Sequence, residues 1–67
     1  MTQQDFHVLE TCMHRFGGRF CEKLADAMCA ADPINRQKLF DAFPDIVMKY
    51  GPGSNFAKLV SQEAVNV

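Results

Sequence analysis

The stretch Asp32–Tyr50, DPINRQKLFDAFPDIVMKY, carries two prolines, each placed where a helix can begin. Asp32 offers an N-cap acceptor, and Pro33 stands at the first helical position, where its missing N–H costs nothing. Leu39, Phe40, Ala42 and Phe43 give a third helix of the chain its apolar content, while Asn35, Arg36, Gln37 and Lys38 occupy its first turns. Pro44 forces Phe43 out of the α region, so that helix stops and a fourth, holding Ile46, Val47 and Tyr50, starts at the same proline. The spacing predicts two short helices over 32–50 that share one apolar face, with the remaining chain arranged around them.

Toward the C-terminus, Gly51-Pro52-Gly53 breaks the chain, and Ser54 caps a closing helix over 54–64. Phe56, Leu59, Val60 and Ala64 are expected on its inner face, with fraying from Val65 onward. Toward the N-terminus, residues 1–31 read as a helical hairpin. Thr2 and Asp5 have capping-box spacing, and Phe6, Leu9, Met13 and Phe16 recur at helical intervals with Cys12 beside them. Gly17-Gly18 ends this first helix, because glycine enters the left-handed conformation at little cost. The second helix runs from about Arg19 to Ala30, with a predicted stripe of Phe20, Leu24, Ala27 and Ala31, widened by Cys21, Ala25 and Met28. So short a connection makes the first two helices antiparallel neighbours. No segment alternates with period two. Residues 1–67 therefore read as a single all-α domain, a compact bundle of four to five short helices.

Sixty-seven residues bury little surface relative to the unfolded chain, which makes a domain of this size marginal without help. Yet 48% of the residues are hydrophobic, including six Phe and four Met, more than so small a core readily absorbs. Apolar surface left over in this way marks an interface, and a homodimer or a tight heteromeric partner is the economical expectation. A net charge of −1 without any long charged run gives no footprint for nucleic acid or anionic membrane. The opening MTQQDF lacks the basic and apolar regions of a secretory signal, and no segment approaches membrane-spanning length, so a cytoplasmic location is expected. Three cysteines, an odd number, do not make a disulfide framework.

Each reactive residue type has a plain reading beside a chemical one. Cys12, Cys21 and Cys29, with His7 and His14, lack the paired spacing of a structural zinc site, and neither a metal nor another cofactor is expected. Cys–His catalysis would need a thiolate held in a cleft, for which a small bundle has little room, so no enzymatic activity is expected. The segment RFGGRF lacks the preceding strand and GK[ST] ending of a phosphate loop. Asn35, Arg36, Gln37 and Lys38 are residue types that read base edges at the start of a helix after a turn. They raise a helix-turn-helix alternative in which Arg15, Arg19 and Lys23 touch phosphates. Asp32, Asp41 and Asp45 oppose it on charge grounds. Phe40, Phe43, Tyr50 and Phe56 could stack single-stranded bases, or simply fill the core. Phe40 and Met48, flanked by Arg36 and Lys49, are the expected protein-contact residues, because aromatic and methionine side chains anchor interfaces.

The segments FGGRFCEKLADAM (16–28) and DPINRQKLFDAFPDIVMKYGPGS (32–54) resemble short uncharacterised proteins carried by bacteriophages and prophages, over roughly positions 16 to 56. What the resemblance implies is a mode of action: small proteins of that kind often bind a host protein and block or redirect it, defence complexes included. The expectation is a non-enzymatic protein-binding module that inhibits or modulates a host defence or regulatory complex by steric occlusion.

Overall fold

The computed structural model describes the backbone of residues 1–65 and the side chains of residues 1–60. Five helices follow one another among the described residues: α1 (Gln3–Phe16), α2 (Gly18–Ala30), α3 (Pro33–Ala42), α4 (Pro44–Tyr50) and α5 (Asn55–Val65). Fraying was expected from Val65 onward, but Val65 is still helical as the last residue of α5, and positions 66 and 67 and the expected inward side chain of Ala64 lie outside the described residues. The chain is all-α, as the sequence predicts.

Three of the helix starts are built by the caps that the sequence advertises. Thr2 Oγ1 accepts from the Asp5 amide at 3.0 Å while the Asp5 carboxylate accepts from the Thr2 amide at 3.5 Å, closing a capping box. Asp32 Oδ1 accepts from the Asn35 amide at 2.7 Å ahead of Pro33. Ser54 Oγ accepts from the Ala57 amide at 3.1 Å. Each such bond satisfies an amide that the helix itself leaves without a partner. Pro44 breaks the chain rather than bending it. Phe43 takes φ −128° and ψ 59°, outside the helical region, and serves as the last residue of one helix and the cap of the next.

The turn between α1 and α2 occupies almost no chain. Gly18 holds φ +76°, and Gly17 lies so close to Cys21 that a Cβ there would meet the Cys21 Cβ. The helices then run antiparallel: His14 faces Asp26, and Glu10, a turn earlier on α1, lies by Cys29, about a turn later on α2.

The core centres on α1, which packs against α2, α4 and α5. Its Leu9, Cys12 and Met13 are fully buried, together with Ala25 and Met28 of α2. Cys21, Leu24, Tyr50 and Ala57 complete the interior, and Phe16 of α1 stacks on Phe56 of α5 with ring centroids 4.8 Å apart. This corrects the expectation that 32–50 organises the chain, since α3 buries no residue and α4 buries Tyr50 alone. The apolar face itself is present, since Leu39, Phe40 and Phe43 pack against the core together with Ile46 and Val47. These side chains sit half-buried at its edge, however, and Ile34, more than about 100° around the helix from Leu39 and Phe40, is left exposed.

Two further faces are corrected. The buried side of α2 is Cys21, Leu24, Ala25 and Met28, an i, i+3, i+4, i+7 series, which leaves Phe20 and Ala27 outside. On α5 the inner positions are Phe56, Ala57 and Val60, and Leu59 is exposed. No helix among the described residues is long and apolar enough to cross a membrane.

Candidate functional site

The large apolar side chains left at the surface are the first feature that packing does not explain. Met48 is 80% exposed, Ile34 72% and Phe20 61%. Met48 lies on the outer side of α4, opposite Tyr50, with Lys49 next to it and the Lys49 ammonium 5.4 Å from the Tyr50 ring centre. Phe20 lies in the first turn of α2, held in place by an edge-on contact with Phe43 at 5.9 Å. The regular Cys21–Met28 series was the signal that would have placed Phe20 outside. The size of the phenylalanine hid it.

Phe40 is not part of this surface. It is half-buried, its ring 6.0 Å from that of Phe6, and it packs against the core. Arg36 does not extend outward either. Its Nε donates to the Met28 carbonyl at 2.9 Å, its Nη2 donates to the Ala31 carbonyl at 3.3 Å, and its guanidinium lies 4.2 Å from the centre of the Phe6 ring. A cation at the C-terminal end of α2 meets the last carbonyls of the helix, that of Met28 also accepting from the Ala31 amide at 3.3 Å, and the negative end of the helix dipole. Of the four residues expected at the protein contact, the structure leaves Met48 and Lys49 at the surface and draws Phe40 and Arg36 inward.

The polar run is occupied within the chain in similar fashion. Asn35 Nδ2 donates to Asp32 Oδ2 at 3.3 Å, and Gln37 Nε2 donates to Asp41 Oδ1 at 2.9 Å. Lys38 remains exposed. The four aromatics that could have made a stacking platform are dispersed instead. Phe40 pairs with Phe6, Phe43 pairs with Phe20, and Tyr50 lies 5.2 Å from Phe56 within the core.

A second cluster lies along the α1–α2 seam. The two oxygens of Glu10 each sit 3.3 Å from an imidazole Nδ1, one of His7 and one of His14, and His14 Nε2 is 2.8 Å from Asp26 Oδ1. His7, Glu10 and His14 are spaced i, i+3, i+7 along one face of α1, a signal visible in the sequence but read there only as failed metal spacing. A neutral imidazole carries one N–H and donates to one of the two carboxylates that flank His14, whereas the imidazolium donates to both. Among the described residues, no group of three or more His, Cys, Asp or Glu side chains is arranged to hold a metal ion.

Cys12 and Cys21 are buried and Cys29 is exposed, all three free. Burial raises the Cys12 thiol above its ordinary value, with Arg15 pulling the other way. Cys29 is also raised, first by partial enclosure and then by the negative charges of Glu10 and Asp26, against the pull of Arg36. Compared with family models, curated proteins and solved structures, the chain matches none of them.

Proposed function

We propose that this chain is a non-enzymatic protein-binding module that works by covering a surface of its partner, with Phe20 and Met48 as the contact side chains and Lys49 beside them. The observation that carries this reading is the exposure of Met48 and Phe20, two large apolar side chains that the core leaves at the surface. Phenylalanine and methionine side chains are typical interface anchors. The internal engagement of Asn35, Arg36 and Gln37 favours a protein partner over duplex DNA, because bidentate donors that read bases have to be free to do so. The resemblance over positions 16 to 56 suggests a host defence or regulatory complex as the partner, and the same apolar side chains would support a homodimer.

The test is an affinity capture from nuclease-treated bacterial lysate at high salt, run with the wild type, with Phe20→Ser plus Met48→Ser, and with Ile34→Ser as a surface control. One stoichiometric protein captured by the wild type and the control, and lost in the double variant, is the expected result. Equal capture by all three would remove Phe20 and Met48 from the interface. Disappearance of every partner on nuclease treatment, with salt-dependent binding to duplex DNA, would move the function to Asn35–Lys38 and the helix-turn-helix reading.

A further inference from the structure

α3 differs from the other helices in how it is attached. It buries no residue, and its backbone approaches only α2 and α4. Its ten residues are too few to form a stable helix alone, so it persists by virtue of its contacts. Those contacts are few and concentrated. Arg36 makes two hydrogen bonds to the carbonyls of Met28 and Ala31 and lies over Phe6, and Phe40 rests against the same Phe6 ring. Both ends of α3 are sharp changes of backbone direction. Ala31 is extended at one end, and Phe43 lies outside the helical region at the other. The segments beyond those ends belong to α2 and α4, which have independent anchors, since α2 and α4 each pack against α1.

The geometry points to α3 as a strap, latched by Arg36, that opens by local unfolding while α1, α2, α4 and α5 stay packed. Opening frees Leu39 and Phe40 and uncovers Phe6, all half-buried in the closed form. The result is a second apolar surface, present only in the open state. The latch is polar on one side and aromatic on the other. Arg36 thus has to surrender two carbonyls and a ring face together, which makes opening a concerted step rather than gradual fraying. The inference does not depend on the proposed partner-binding role.

Native-state amide hydrogen exchange tests it on the intact chain, first in the wild type and then in Arg36→Ala. After correction for intrinsic rates, wild-type amides of residues 36–42 are expected to exchange through an opening far more populated than the one that exposes Leu9–Met13. In Arg36→Ala, residues 36–42 are expected to exchange about tenfold faster or more, while Leu9–Met13 change by less than about twofold. Wild-type α3 amides as slow as those of α1 would overturn the strap, whatever the variant does. Acceleration of both regions alike in Arg36→Ala, or of neither, would overturn the latch.

Discussion

Cys12 and Cys29 present the same functional group in two settings, and the difference is measurable. Cys12 and Cys21 are buried and Cys29 is exposed, so a thiol reagent at neutral pH is expected to modify Cys29 first and the other two only in denaturant, as read by mass spectrometry. Even Cys29 should react more slowly than a free thiol, because enclosure and the charges of Glu10 and Asp26 disfavour its thiolate. Both raised thiols have the same consequence for stability. Below the ordinary thiol value of 9.0 they are protonated whether the chain is folded or unfolded and add no pH dependence. Above it the unfolded chain releases these protons first, so stability falls as pH rises. Urea melts under reducing conditions should show that alkaline decline, and Cys12→Ala should flatten it. Packing gives the steeper contrast. Met28→Ala, at a fully buried position, is expected to cost about 2–5 kcal/mol, and Ile34→Ala, at an exposed one, less than about 0.5 kcal/mol. At this scale the caps were legible in the sequence, because Thr2, Asp32 and Ser54 act on amides three residues away. Arg36 was not, because its acceptors lie on a different helix and only the folded chain brings them within reach.

The short turn between α1 and α2 is the element on which the hairpin depends. Gly18→Ala is expected to cost about 1–2 kcal/mol, the penalty for an L-residue in the left-handed region, with a lower urea midpoint at unchanged slope. Gly17→Ala should cost at least as much for a different reason, since its Cβ would meet the Cys21 side chain. Element boundaries followed from local chemistry: Pro33, Pro44 and the Gly51–Gly53 breaker act on their own neighbours. Faces followed less well. The stripe on α2 was displaced by one residue, because the two small side chains Cys21 and Ala25 carry the periodicity there and Phe20 outweighed them in the reading. In α3 the expected face forms, since Leu39, Phe40 and Phe43 pack against the core, but it lies at the core's edge and none of the three is fully buried. The exposure of Met48 was read from the sequence, whereas that of Phe20 stayed hidden, since it follows only once the face of α2 is assigned correctly. The His7–Glu10–His14 spacing was present to be read, but its meaning depended on Asp26 arriving from the opposite helix.

As a whole the molecule is slightly elongated, 35 × 24 × 19 Å, with a Cα radius of gyration of 11.4 Å. That radius is close to the value of about 11 Å that compact chains of this length adopt. Sedimentation across a range of concentrations is expected to show a reversible dimer whose thermal midpoint rises with concentration, and Phe20→Ser plus Met48→Ser is expected to remove both effects. A midpoint independent of concentration in the wild type would confine the apolar side chains to a heterologous partner. The position of α1 at the centre also governs how the chain comes into being. Its partners α4 and α5 lie in the second half of the chain, beyond α2 and α3. During synthesis, the face of α1 that carries Phe16 has nothing to stack on until Phe56 has emerged. The nascent hairpin is left with an uncovered apolar side until α5 has been made, so the fold closes late along the chain rather than building up from the first helix.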